Sequence, residues 1–221
     1  MSDQGALSDR RDNDFGLIET LLWTRDEGFR LLPEHLARLE TSSAALGFPY
    51  DEARIRDALS AAVANAASER LRARLAVSRD GAIETSVTPI DPIPRDTVWR
   101  VAVAARRFSS ADPLLRHKTT RRALYEDSLA EAAQRCGADE VLFQNERGEL
   151  CEAARCNLFV PQDDNLLTPP LSSGLLPGTL RAALIAQGRA RESILRFDDI
   201  SGREFFLGNS VRGLIRARLI E

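Results

Sequence analysis

The apolar positions near the start of the chain predict a strand, a hairpin partner and a helix. Phe15 to Trp23 is an aromatic and aliphatic run typical of a strand, Gly28 interrupts it, and Phe29 to Leu32 is its predicted partner. A helix is predicted from Pro33, since proline is tolerated in the first helical turn, and it is predicted to end at Gly47.

Periodicity along the rest of the chain predicts further short elements. Up to residue 108 they are a helix (Asp51–Ala67), two strands around the Asp80-Gly81 turn (Leu71–Ser78, Ile83–Thr88) and a strand (Val98–Ala105). Beyond residue 113 they are two helices (Thr120–Cys136, Gly178–Gln187) and four strands (Glu140–Gln144, Asn157–Val160, Glu204–Leu207, Leu214–Ile220).

Short strands mixed with helices, without a regular βαβ alternation, favour an α+β fold. The pattern divides the chain into a disordered lead-in over residues 1–14, a small N-terminal α/β lobe over residues 15–108, a linker over residues 109–113 and a larger lobe over residues 114–221. No internal repeat is visible.

The composition of the chain argues against several classes of function. The net charge of −3 argues against a general nucleic-acid binder, and no apolar run is long enough for a membrane span. The N-terminus lacks the apolar core of a secretory signal, so a cytoplasmic protein with reduced cysteines is expected. No histidine lies near a cysteine at a zinc-ligand spacing, so no metal site is expected.

Lys118 is the first candidate for chemistry. Lysine is scarce here, because almost all the cationic residues are arginine. An unprotonated lysine can react with an aldehyde, which arginine cannot do at its high pKa. Lys118 stands in the run Arg116-His117-Lys118-Thr119-Thr120, where partial burial and Arg116 would both lower its pKa.

Four runs in this order resemble the fold-type IV enzymes that depend on pyridoxal 5′-phosphate (PLP). They are "HLARLETSSAALGF" (35–48), "HKTTRRALYE" (117–126), "DEVLFQNERGELCEAARCNLF" (139–159) and "TPPLSSGLLPGTLRAAL" (168–184). The resemblance covers nearly the whole chain from residue 15. It implies a two-lobed fold similar to D-amino-acid aminotransferase, with a small N-terminal lobe and a larger pseudo-barrel lobe that binds PLP.

The resemblance also implies roles for particular residues. Lys118 corresponds to the lysine that binds PLP covalently, and Glu152 to the glutamate that pairs with the pyridine nitrogen and keeps it protonated. Arg38 corresponds to the phosphate-binding arginine. Thr179 is expected either to cap a helix or to direct its hydroxyl to the phosphate. The full set of implied cofactor contacts is Lys118, Glu152, Arg38, Gly178, Thr179, Leu180, Asn209 and Ser210.

Within the family the chain is most similar to the lyases that convert 4-amino-4-deoxychorismate into 4-aminobenzoate and pyruvate for folate biosynthesis. Thr20 stands where the lyases carry an active-site threonine, and Arg122 also resembles the lyase run. Because that substrate carries two carboxylates, Arg79 and Arg212 are expected to bind it. The resemblance further implies a homodimer and allows an aminodeoxychorismate synthase partner.

Two alternatives stay open at this point. The first is an aminotransferase that acts on branched-chain or D-amino acids, since Lys118 and Glu152 would serve either reaction. The second is a relic of the fold that binds or assembles but does not catalyse, because the region before Phe15 is short and polar.

Overall fold

Two β-sheets form the two lobes of the chain, which a computed structural model describes over residues 15–220. The lead-in predicted to be disordered, residues 1–14, lies outside the described residues.

The small lobe is an antiparallel sheet in the order β2-β1-β3-β4, covered by two helices. Its elements are β1 (Leu17–Thr24), β2 (Gly28–Phe29), α1 (Leu32–Leu46), α2 (Glu52–Val63), β3 (Arg70–Val77) and β4 (Ile83–Pro89). In β3, apolar side chains alternate with arginines, so one face of the sheet packs against the helices and the other stays polar.

The large lobe is an eight-stranded sheet in the order β10-β9-β8-β11-β12-β5-β6-β7, and a further pairing of β7 with β8 closes six of its strands into a barrel. Its strands are β5 (Val98–Phe108), β6 (Glu140–Asn145), β7 (Leu150–Ala153), β8 (Asn157–Gln162), β9 (Asn165–Thr168), β10 (Ala190–Glu192), β11 (Glu204–Asn209) and β12 (Gly213–Leu219). Its helices are α3 (Ala123–Cys136), which connects the parallel strands β5 and β6, and α4 (Thr179–Ala186).

The predicted lobe boundary at residue 108 is wrong by one strand. β5 pairs with β6 and β12 and therefore belongs to the barrel, and residues 109–113 lie within the large lobe. Both pairings are parallel and join residues far apart in the chain, so the local pattern of β5 could not reveal its sheet. The chain passes from one sheet to the other through residues 90–97, which include prolines.

Other element predictions need smaller corrections. β7, β9 and β10 were not predicted, because each is too short to show a periodicity. The helix predicted from Thr120 begins at Ala123, and the one predicted to reach Ala67 ends at Val63. Among residues 15–220, no helix is both long enough and apolar enough to cross a membrane.

The barrel core predicts a large stability effect at Leu142, which is fully buried in β6 among apolar side chains of the neighbouring strands. Leu142→Ala should lower the free energy of unfolding by about 2–5 kcal/mol, because it removes apolar contacts and leaves a cavity. Ile194→Ala, at a side chain that is 54% exposed, is the control and should change it by less than about 0.5 kcal/mol. Equal losses for both variants in urea denaturation would contradict this core.

Candidate active site

A cavity of about 810 Å³ lies between the two lobes. The polar face of the small sheet contributes to it through β1 and β3, and the barrel contributes through β7, β11 and the start of α4. Most of the residues singled out from the sequence line this one cavity: Thr20, Arg38, Lys118, Glu152, Gly178, Thr179, Leu180, Asn209, Ser210 and Arg212.

Lys118 lies in an extended segment that is hydrogen-bonded to β1. The Ile18 amide donates to the Lys118 carbonyl at 2.9 Å, and the Thr120 amide donates to the Gly16 carbonyl at 2.9 Å. The Gly16 amide also donates to the Thr120 hydroxyl at 3.0 Å. The lysine is therefore fixed by strand-like pairing with the other lobe, five residues before α3 begins, and not by the helix start that the sequence predicted.

The surroundings of Lys118 favour its neutral amine. Burial lowers its pKa to about 8, helped by the positive charges of Arg122 and Arg38 and opposed by Glu19 and Glu152. The expected role of burial agrees with this result, but Arg122 and Arg38 act in place of the expected Arg116. Lys118 is also the only lysine in the sequence.

Glu152 is a buried carboxylate in β7 with two donors directed at it. The Tyr125 hydroxyl donates to Oε1 at 2.9 Å, and the Leu176 amide donates to Oε2 at 3.2 Å. Burial raises its pKa to about 7, and the two hydrogen bonds and Lys118 oppose the rise. A carboxyl with this pKa can share a proton with a basic nitrogen placed against it near neutral pH.

Arg38 is held on α1 by a buried carboxylate of β1. Its Nε and Nη2 donate to Glu19 Oε1 and Oε2 at 2.9 and 2.5 Å, and its Nη1 donates to the Pro177 carbonyl at 3.1 Å. These contacts lower the pKa of Glu19 to about 2 despite its burial, so Glu19 is a carboxylate at neutral pH.

The N-terminus of α4 lies beside Arg38 at the same cavity. Gly178 is the N-cap and no side chain caps the helix, so the first backbone N–H groups are available to an anion. Thr179 is the first helical residue and not the cap, and its hydroxyl lies 3.2 Å from His35 Nε2. A Cβ at Gly178 would lie 1.8 Å from Asn157 Oδ1, so a larger residue there would have to displace the Asn157 side chain.

Asn209 and Ser210 shape the turn between β11 and β12. Asn209 Oδ1 accepts from the amides of Val211 and Arg212 at 3.0 and 2.9 Å, and its Nδ2 donates to the Arg155 carbonyl at 3.1 Å. The Ser210 hydroxyl donates to the Thr20 carbonyl at 3.2 Å. Both residues line the cavity, while the Asn209 side chain stabilises the turn itself and the Ser210 side chain holds it against β1.

Of the two arginines expected to bind substrate, only Arg212 faces the cavity. Its Nη1 donates to the Asp91 carbonyl at 2.6 Å. Arg79 lies outside the cavity lining, stacks its guanidinium on the rings of Phe15 and Phe48 and donates to the Leu46 carbonyl. The structure therefore does not bring Arg79 to this cavity, and its expected role stays a prediction. The position of Arg79 near a hairpin tip did not indicate on which side of the small sheet its side chain lies.

Several residues of the site were missed from the sequence. Arg72 and Arg74 line the cavity from the polar face of β3, where Arg74 pairs with Thr20 of β1, and their two-residue spacing was the available signal. His35 lies three residues before Arg38 on the same helix face, a spacing that predicts proximity. No local pattern identified Glu19 or Tyr125 as partners of these groups.

The contact between Tyr125 and Glu152 predicts that a mutation of Tyr125 changes the pKa of Glu152. Tyr125→Phe removes a hydrogen bond that favours the carboxylate, so the pKa of Glu152 should rise further above about 7. Infrared or carbon NMR titration of the glutamate carboxyls in the cofactor-free protein measures this. Tyr50→Phe is the control, because Tyr50 bonds to Glu52 on the small lobe. A Glu152 pKa that is unchanged in Tyr125→Phe would contradict the contact.

Comparison with known proteins adds independent findings. The family model described as amino-transferase class IV matches residues 16–220. A Schizosaccharomyces pombe protein named provisionally as an aminodeoxychorismate lyase is 30% identical over 92% of this chain and 89% of its own length.

Two solved structures are also similar. A Mesorhizobium loti protein described provisionally as an amino-acid aminotransferase is 46% identical and superposes with a TM-score of 0.88, over 94% of this chain and all of the other. A hypothetical aminotransferase from Mycobacterium tuberculosis in its PLP-bound form is 28% identical, with a TM-score of 0.79, over 96% of this chain and 83% of that protein.

The fold and the family predicted from the four sequence runs are thus confirmed. The match spans nearly all the described residues, and the barrel with its small second lobe is shared with the solved relatives. This chain belongs to the class IV amino-transferase family of PLP-dependent enzymes.

Proposed function

We propose that the protein binds PLP in the cavity between its lobes and acts as a 4-amino-4-deoxychorismate lyase, which releases 4-aminobenzoate and pyruvate. One observation carries this proposal: one cavity brings together the only lysine of the sequence, a buried carboxyl and three arginines. Arg72 and Arg74 come from the polar face of β3, and Arg212 comes from the β11–β12 turn.

The residues of the cavity fit PLP at each of its functional groups. Lys118 offers an amine with a pKa of about 8, and Glu152 offers a buried carboxyl for the ring nitrogen. Arg38, Thr179 and the uncapped start of α4 offer donors to the phosphate. When bound, PLP supplies an aldehyde that condenses with amines and a protonated ring that withdraws electrons from the attached carbon.

Lys118 is the general base and acid of the proposed reaction. With PLP bound and the substrate amine in place of its own, Lys118 Nζ would take the proton from C4, the ring carbon that bears this amine. The bond between the adjacent carbon and the enolpyruvyl oxygen then breaks, and the ring becomes aromatic. The enolpyruvyl group would take up a proton and leave as pyruvate. The Lys118 amine would then displace the aromatic amine, so that 4-aminobenzoate is released and atoms and charge balance.

Thr20 is the proposed donor to the departing oxygen. Its side chain is on the cavity face of β1, and its own carbonyl accepts from Ser210, which holds the strand against the β11–β12 turn. A hydroxyl at this position can stabilise the negative charge that develops on the leaving oxygen.

The arginines of β3 favour a substrate with more than one carboxylate. Arg74 lies directly opposite Thr20 in the register of β1 and β3, and Arg72 follows on the same face. Arg212 reaches the same cavity from the barrel, and its pKa is lowered by burial and by Arg70 and Arg72. Cations gathered in this way are stabilised by anionic ligands.

Removing one of these arginines should weaken substrate binding. Arg74→Met should raise KM about tenfold or more with a smaller effect on kcat, because one carboxylate loses its cation in both the ground and transition states. Arg106→Met is the matched control, since Arg106 is exposed on β5 and lies outside the cavity lining. A KM that is unchanged in Arg74→Met would show that Arg74 on β3 does not bind the substrate.

An aminotransferase is the second candidate, favoured by the similarity to the Mesorhizobium loti protein. Lys118 and Glu152 would take the same roles in removing the first proton from an amino acid. The relic alternative has less support, because the residues that we propose for catalysis line one cavity. We also propose that the protein forms a homodimer and receives its substrate from an aminodeoxychorismate synthase. Light scattering tests both points by measuring the mass of the particle with and without that synthase.

One assay separates the two activities. The PLP-loaded protein should form equal amounts of pyruvate and 4-aminobenzoate from aminodeoxychorismate, and Lys118→Ala should lose this activity by several orders of magnitude. The same protein with alanine and 2-oxoglutarate should form no glutamate. Steady glutamate formation without lyase activity would replace the first candidate by the second.

A further inference from the structure

His35 is a buried histidine between the two lobes that the proposed reaction does not use. It is 1% exposed and lies on α1, one turn before Arg38. Its Nδ1 lies 2.6 Å from Glu19 Oε2 on β1, and its Nε2 lies 3.2 Å from Thr179 Oγ1 at the start of α4. The ring therefore joins the carboxylate that holds Arg38 to the hydroxyl at the helix N-terminus.

The proton on Nδ1 is fixed by its partner. Glu19 accepts both arms of the Arg38 guanidinium and is a carboxylate, which has no proton to donate. His35 Nδ1 must then donate to it. The remaining question is whether Nε2 also carries a proton, and this decides what the Thr179 hydroxyl does.

Thr179 has one hydroxyl proton for two neighbours. With Nε2 unprotonated, the hydroxyl donates to His35 and presents only lone pairs to the cavity, which repel an anion. With Nε2 protonated, His35 donates to the Thr179 oxygen, and the hydroxyl proton is free to turn toward the cavity. Only the second arrangement allows Thr179 to donate to a phosphate and keep its hydrogen bond with His35 at the same time.

The charges at this end of the cavity favour the second arrangement when an anion is present. Arg38 is already neutralised by Glu19, so this pair offers little net positive charge to a phosphate. A proton on His35 restores a positive charge beside the helix N-terminus. Arg181 on the same helix is engaged with Glu192 and the Pro169 carbonyl. Lys118, on the segment paired with β1, interacts electrostatically with Glu19 and Arg38.

We infer that His35 takes up a proton when an anionic group enters the end of the cavity formed by Arg38 and Thr179, and that it positions the Thr179 hydroxyl toward that group. This inference rests on the proposed function, in which the anion is the phosphate of PLP. It makes the affinity for the anion fall as the pH rises, because binding is then linked to the uptake of a proton.

The test is nitrogen NMR of the full chain labelled in histidine, where only His35 and His117 give ring signals. The His35 signals are those absent from His35→Gln. In mildly alkaline buffer without ligand, they should show Nδ1 protonated and Nε2 unprotonated. With PLP or sulfate added, both ring nitrogens should become protonated. An Nε2 that stays unprotonated with ligand bound, or that is already protonated without it, overturns the inference.

Binding affinity gives the second measurement. Sulfate keeps its charge over the neutral range, so any pH dependence of its affinity reports on the protein. The dissociation constant should rise with pH more steeply in the wild type than in His35→Gln, by up to about tenfold more per pH unit, because only other groups of the cavity, among them Lys118 and Glu152, still exchange protons in the variant. Equal slopes in the two proteins would contradict the inference. His117→Gln is the control, since His117 contacts Ser42 and not Glu19, and it should keep the wild-type dependence.

The two proposals fail in different ways. If PLP forms no absorbance band with the protein but His35 takes up a proton when sulfate binds, the proposed cofactor is wrong and the inference stands. If the band forms and His35 is unchanged, the cofactor stands and the inference is wrong. If neither ligand binds, no anion enters this end of the cavity and both are wrong.

Discussion

The pairing of the Lys118 segment with β1 is the constraint on which the site depends. Hydrogen bonds from Ile18 to the Lys118 carbonyl and from Thr120 to the Gly16 carbonyl hold the lysine at the seam between the lobes. The segment leads into α3 and the barrel strand β6, whereas β1 belongs to the small sheet. Because Glu152 belongs to the barrel and Arg38 to the small lobe, a change that separates the sheets would take the amine away from at least one of these two groups.

Burial and charge set the chemistry around that amine. Burial lowers the pKa of Lys118 and raises that of Glu152, so both groups exchange protons near neutral pH. Glu19 remains a carboxylate because Arg38 and His35 bind it. The arginines of β3 leave the opposite part of the site positive. One cavity thus combines two groups that can exchange protons with cations that can bind anionic groups.

Most of the candidate site could be predicted from the sequence, because its residues lie in runs with distinctive spacing. Lys118, Glu152, Arg38 and Thr179 were placed in one site from those runs, and the structure brings them to one cavity. The failures have physical causes. β5 was assigned to the wrong lobe because its parallel partners are distant in the chain. The position of Arg79 outside the cavity could not be predicted, because the aromatic rings that it covers come from elsewhere in the fold. The link from Glu19 through His35 to Thr179 joins three elements that no local pattern connects.

The most direct test of the central claim is the attachment of PLP to Lys118. Lysine occurs once in the chain, so the side chains offer a single amine besides the N-terminus. The protein is incubated with PLP and reduced with borohydride, and its intact mass and peptides are then measured. The account predicts one added group per chain on the peptide that contains Lys118, and none in Lys118→Arg. A wild-type protein that carries no added group, or carries it only at the N-terminal amine, would contradict the account.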